Sequence, residues 1–148
     1  MMLVLCTYVI IDFSILGLAR RTFVFYTMND GKMIVEERNL KRSASQEQSL
    51  TRYIEEAVLG PVGPEILPLF TRGTRLLSLL YRDGKVFLNF SPEAALPPEE
   101  GGDVFNNLCT LYIGIKRNFP WVNDIVFFID GKEAFPGKFK DFSEKIDI

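Results

Sequence analysis

A chain of 148 residues is long enough for one domain that buries roughly 68–70% of its unfolded surface, and so needs neither metal nor disulfide to hold a core. It is 47% hydrophobic and 13% aromatic, with thirteen Phe, which excludes the low-hydrophobicity, high-charge class of disordered chains. The formal charge of −2 offers no broad cationic surface to a nucleic acid, and the absence of His removes Ser-His and Cys-His nucleophiles along with every His-dependent metal site.

The first nineteen residues are apolar except for Thr7, Asp12 and Ser14, close to the ~20 needed to cross a bilayer as a helix. One central Asp costs about 2.5–3.5 kcal/mol on the insertion scale, and many residues returning about 0.3–0.6 each roughly offset it. Residues 1–19 are therefore expected to be a hydrophobic anchor or signal-like segment, ahead of a single domain over 20–148. Two alternatives stand beside this: lipid modification at Cys6, and an apolar strand or helix of a soluble protein. The first positive side chains, Arg20 and Arg21, follow the apolar stretch. Taken literally, the positive-inside rule leaves the domain in the cytoplasm, whereas a start called too late would delete a basic leader region and give the same pattern.

From Thr22 to Thr27 the β-branched and aromatic residues predict a strand, turned at Asn29–Gly31 into a second one through Met33–Val35. Leu50, Tyr53, Ile54, Ala57 and Val58 recur at helical spacing, with Ser45 and Gln48 shaped as a capping box and Gly60-Pro61 as the stop. Residues 62–73 read as a loop. Asp83-Gly84 is a two-residue hairpin turn that pairs Arg82 with Lys85 and places Tyr81 opposite Val86, Leu79 opposite Leu88 and Leu77 opposite Phe90 on the core face. The other face pairs Ser78 with Asn89 and Leu80 with Phe87.

After an acidic loop over 91–103, a second helix carries Val104, Phe105, Leu108, Leu111, Tyr112 and Ile115 on one stripe and ends at Lys116-Arg117. The apolar run from Val122 to Ile129 suits a central strand buried on both faces, and the tail beyond Asp130-Gly131 is only loosely patterned. The expected class is α+β: a mixed sheet of four to five strands with two helices packed on one face, in the order β-β-α-β-β-α-β. Asp-Gly-Lys occurs at Asp30, Asp83 and Asp130, which three hairpin turns explain.

Little chemistry is visible. Glu93, Glu99, Glu100 and Asp103 fit no calcium-loop spacing and read as a solvated loop with acids near a helix start. Their charge would repel a phosphate from Gly101-Gly102. No Ser-Lys pair or phosphate loop occurs, and Cys6 and Cys109 suggest neither zinc nor a disulfide framework. No cofactor is expected. Asn89-Phe90-Ser91 matches a glycosylation sequon but falls within a predicted strand. What remains is surface: Trp121 at a loop tip, and Leu80 and Phe87 on the mixed hairpin face, are the candidate partner-binding residues. For Trp121 the competing reading is packing over the end of its own sheet.

The run from about Thr22 to Ile146 resembles the GerMN domain of sporulation and spore germination proteins and other bacterial envelope proteins. The likeness is carried by Phe25-Tyr26, Arg38, Tyr53 through Leu59-Gly60-Pro61, Leu67-Pro68, Gly73-Thr74, Asp83-Gly84-Lys85, Asn89-Phe90-Ser91, Phe119-Pro120 and Ile129-Asp130-Gly131-Lys132. The resemblance implies a non-catalytic module, similar to the ring-building motifs of envelope assemblies, outside the cytoplasmic membrane behind an anchor or lipid. This chain carries one copy where spore germination proteins often carry two. The expected partners are other envelope proteins or a second copy of itself, and the membrane through residues 1–19, with no nucleic acid. A small-ligand-binding or enzymatic α+β domain with an unrecognised site is the alternative.

Overall fold

The computed structural model describes residues 17–99 and 102–145, and the strand that opens it begins earlier than its β-branched core. Strand β1 (Leu18–Thr27) runs antiparallel to β2 (Met33–Lys41), in a register that pairs Leu18 with Lys41 and Tyr26 with Met33. Leu18 and Ala19, assigned by composition to the N-terminal apolar segment, thus belong to a sheet. Residues 1–16 and 146–148, and Glu100 and Gly101, lie outside the described residues.

Helix α1 (Gln46–Leu59) starts where Ser45 accepts the Gln48 N–H, the serine half of the predicted capping box, and stops as predicted where Gly60 turns at φ 90°. Leu50, Tyr53, Ile54 and Ala57 form its buried stripe. The stretch expected to be a loop contains β3 (Ile66–Leu67), which pairs with the end of β1 through Tyr26 and Thr27. Two residues between Gly63 and Pro68 are too few to show any periodicity.

Strands β4 (Leu76–Arg82) and β5 (Lys85–Phe90) form the hairpin fixed by Asp83 and Gly84, both at positive φ as a type I′ turn requires. Four of the five core-face and outer-face pairs stand as expected, from Tyr81 with Val86 to Ser78 with Asn89. The fifth is corrected. A bulge between Leu76 and Ser78 gives Phe90 to Leu76 and leaves Leu77 50% exposed. After a short 3-10 turn (Pro92–Ala95), helix α2 (Val104–Asn118) is capped by Asp103, which accepts the Asn106 N–H.

Strand β6 (Asp124–Ile129) lies parallel to β5 and antiparallel to the two-residue β7 (Lys132–Glu133). It is central, but buried on one face only: Ile125 and Phe127 are enclosed whereas Val126 and Phe128 are half-exposed. The tail is structured as helix α3 (Lys138–Lys145), whose buried Phe139 packs on Phe127 at 4.8 Å between ring centres.

The α+β class and the element order hold, and the helical stripes share one core with the inner face of a mixed sheet, β4-β5-β6-β7. The strands are nevertheless divided between two sheets, the other being β2-β1-β3. The physical reason is at Thr22. The Asn118 carboxamide accepts the Thr22 N–H at 2.9 Å and donates to its carbonyl at 2.6 Å, so a side chain occupies the β1 edge where a further strand would pair. Each Asp-Gly-Lys site is the turn of an antiparallel pair.

Candidate interaction surface

Alternation along the mixed sheet sends Tyr81, Leu79, Val86, Leu88, Ile125 and Phe127 inward and leaves a second row outside. In that outer row Leu80 pairs with Phe87 and Phe87 with Val126, with Phe128 one step along β6. Leu80 is 54% exposed and the other three are half-buried. Arg82, Lys85 and Asp124 border the row, with Lys85 and Asp124 paired at 3.2 Å. An exposed pair of this kind contributes little to stability.

The structure brings Leu80 and Phe87 together and puts Trp121 elsewhere. The indole meets Tyr81 edge-to-face at 4.8 Å and Phe119 at 5.4 Å, both on the core side of the sheet. Trp121 therefore packs over the end of its own sheet, on the face opposite Leu80.

The residues that carried the family likeness hold the framework. Arg38 stacks on Phe23 at 4.7 Å and reaches the end of α1, donating to the carbonyls of Gly60 at 2.7 Å and Glu56 at 3.2 Å and to the Glu36 and Glu56 carboxylates. A cation at the helix C-terminus also complements its dipole. Asn89 Oδ1 accepts the Gly131 N–H at 3.0 Å, joining β5 to the last hairpin turn, and the Ser91 hydroxyl accepts the Arg75 N–H. The sequon residues are thus engaged within the fold.

A cleft of about 410 Å³ opens between α2, β3 and the Tyr26 end of β1, lined by Leu67, Asn106, Asn107, Cys109 and Thr110 among others. Burial, and secondarily the charge of Asp103, push the Cys109 thiol up to about 11, so it stays protonated and is a poor nucleophile. The Asn107 Nδ2 is buried there with no hydrogen-bond partner among the described residues. Burial also raises the Tyr53 hydroxyl well above its ordinary value, keeping it a donor to the Thr22 carbonyl. Among the described residues no group of three or more His, Cys, Asp or Glu could hold a metal, and no helix is long and apolar enough to cross a membrane. The described lining of the 410 Å³ cleft sets no basic side chain beside the Cys109 thiol.

The sporulation and spore germination family, named Germane, matches residues 24–135, from β1 to the end of the last hairpin. The chain belongs to this family. No curated protein matches the sequence. Among solved structures it is similar to the tandem GerMN domains of the sporulation protein GerM from Bacillus subtilis, at 19% identity and TM-score 0.57, covering 78% of this chain and 40% of that one. It is likewise similar to the first GerMN domain of that protein alone, at 16% identity and TM-score 0.56, covering 78% of this chain and 86% of that one. At these identities the likeness concerns the fold. This GerMN domain spans about two fifths of the tandem structure it matches.

Proposed function

We propose that this GerMN domain is a non-catalytic interaction and assembly module of the bacterial cell envelope, tethered to a membrane through the apolar segment ahead of β1 with the folded part outside the cytoplasm. The observation that carries the reading is the outer row Leu80, Phe87, Val126: apolar, accessible, and framed by charges, on a sheet whose other face holds the core. Family membership supports it. Envelope proteins or a second copy of the chain are the proposed partners.

The test introduces Leu80→Glu and Phe87→Glu singly into the full chain in cells, with Trp121→Ala as the control on the opposite face. Circular dichroism of the purified variants should report native folding, while crosslinking to self or to envelope proteins should fall for the two glutamates and persist for the control. Folded glutamate variants that keep every crosslink would remove this face from the interface. A second reading, a small-ligand-binding or enzymatic domain, draws on the cleft beside Asn107. Measured turnover by the purified protein would overturn the non-enzymatic reading.

A further inference from the structure

The end of the first sheet from which residue 17 leads back toward the N-terminus gathers positive charge. In the β1–β2 register Leu18 lies beside Lys41 and Ala19 beside Leu40, so the last residues of β2 flank the first residues of β1. Arg42 fixes this end: its backbone N–H donates to the Gly17 carbonyl and its Nε to the Leu18 carbonyl at 3.0 Å. Ser49 and Arg52, from the first two turns of α1, close the other side, with Arg52 Nε donating to the Ser43 hydroxyl at 3.3 Å. The result is a cleft of about 210 Å³ whose polar lining is Arg21, Lys41, Arg42, Arg52, Ser43 and Ser49.

Every one of these four cations is absent from the ion pairs formed among the described residues, and no carboxylate lines the cleft there. On the same sheet Arg20 pairs with Glu37, and Arg38 with Glu36 and Glu56, whereas Arg21 is held by the Asn118 carbonyl at 3.1 Å and the Phe119 ring at 4.5 Å. In a protein of net charge −2, a cleft lined by four cations and by no carboxylate is a local concentration of positive charge. Like charges this close repel, and an anion seated between them removes the repulsion. Guanidinium forks with neighbouring hydroxyls match the oxygens of a phosphate.

The position of the cleft selects among phosphates. Ala19 and the Arg42 contacts to Gly17 and Leu18 place it where the chain continues into residues 1–16, apolar apart from Thr7, Asp12 and Ser14. With that segment in a bilayer, the end of the sheet it leads into is the end nearest the headgroups, and basic side chains close to a membrane surface attract anionic lipid. We infer that this cleft binds the phosphate of an anionic phospholipid headgroup and so holds the domain in a fixed orientation on the membrane. The inference rests on the tether proposed above.

The experiment uses the full chain, 15N-labelled, in neutral detergent micelles, and follows the Nε–Hε signals of Arg42 and Arg52. Short-chain phosphatidylglycerol is expected to shift them saturably and phosphatidylcholine to leave them in place, while inorganic phosphate acts only at concentrations more than about tenfold higher. The double variant Lys41→Gln, Arg52→Gln changes two exposed side chains and should weaken the phosphatidylglycerol response of Arg42 at least about tenfold. Equal responses to both lipids, an unchanged double variant, or inorganic phosphate as effective as phosphatidylglycerol would each overturn the headgroup assignment. Sedimentation with vesicles of pure phosphatidylcholine tests the tether separately. Retention of both proteins there supports the anchor whatever the cleft does, and loss of both refutes the anchor even where the phosphatidylglycerol shifts persist.

Discussion

The Tyr53 hydroxyl lies against Gly114 so closely that a Cβ on that glycine would stand 2.4 Å from its oxygen. That space lets the phenol pass α2 and donate to the Thr22 carbonyl at 3.1 Å, tying α1, α2 and β1 at one point. The ring itself stacks on Phe23 at 4.5 Å and meets Phe119 edge-on at 5.4 Å, so it has no free direction in which to retreat.

A double-mutant cycle should expose this dependence. Gly114→Ala alone gains helix propensity of about 1 kcal/mol but forces the phenol away, and a net loss of about 1–3 kcal/mol is expected from overpacking and the broken hydrogen bond. In the Tyr53→Phe background the nearest ring carbon stands 3.6 Å from the added Cβ, an ordinary contact. There the alanine should be neutral or stabilising. Urea denaturation of the four proteins measures the coupling, and purely additive changes would show that the contact is not strained.

Two buried acids, Cys109 and Tyr53, are expected to weaken the fold at alkaline pH. Burial raises both Cys109, from 9 to about 11, and Tyr53, from 10 to a higher value, so the folded state holds their protons more tightly than the unfolded state. Their stabilisation is complete below the unfolded values and is lost as pH rises through the folded ones. The urea midpoint should therefore be flat from pH 7 to about 9 and fall toward 11. Cys109→Ala removes one of the two groups and should flatten the fall, and parallel curves for the two proteins would exclude the thiol as a contributor.

What could be read from the chain depended on whether a residue's role was local. Ser45, Gly60 and the Asp83-Gly84 turn act on neighbours within four positions, and each does what its chemistry dictates. The bulge at Leu77 was hidden because Leu76 and Leu77 are interchangeable to any hydrophobic pattern. The half-exposed Val126 and Phe128 mimic buried positions, since the run through Ile129 has no polar residue to mark an outer face. Helix α3 rests on Phe139 and Phe142 in an otherwise charged segment, a stripe too narrow to stand out. The split into two sheets depends on Asn118 meeting Thr22, which are 96 residues apart, and the cation cleft on positions 21, 41, 42 and 52 drawn from three regions of the chain. Neither meeting has a local signature. The pairs Arg20-Arg21 and Lys41-Arg42 were the visible trace of the second, and only the β1–β2 register brings them to one end.

Arg38 was legible only as part of a family likeness, and its surroundings now give it a physical task that can be tested. Its side chain is 13% exposed, with its guanidinium plane over Phe23 and its N–H groups spread over two carbonyls at the end of α1 and two carboxylates. Removing it leaves Glu36 and Glu56 without their cation, the Gly60 carbonyl without this donor, and Phe23 without its cover, and Arg38→Ala is expected to cost about 3–5 kcal/mol. Arg38→Lys keeps the charge but has neither the planar fork nor the stacking surface, so it should recover less than half of that loss. Urea denaturation of the two variants, with far-ultraviolet circular dichroism to follow α1, measures the difference. A lysine variant as stable as the parent would show that charge alone suffices at the end of α1 and that the stacking on Phe23 is incidental.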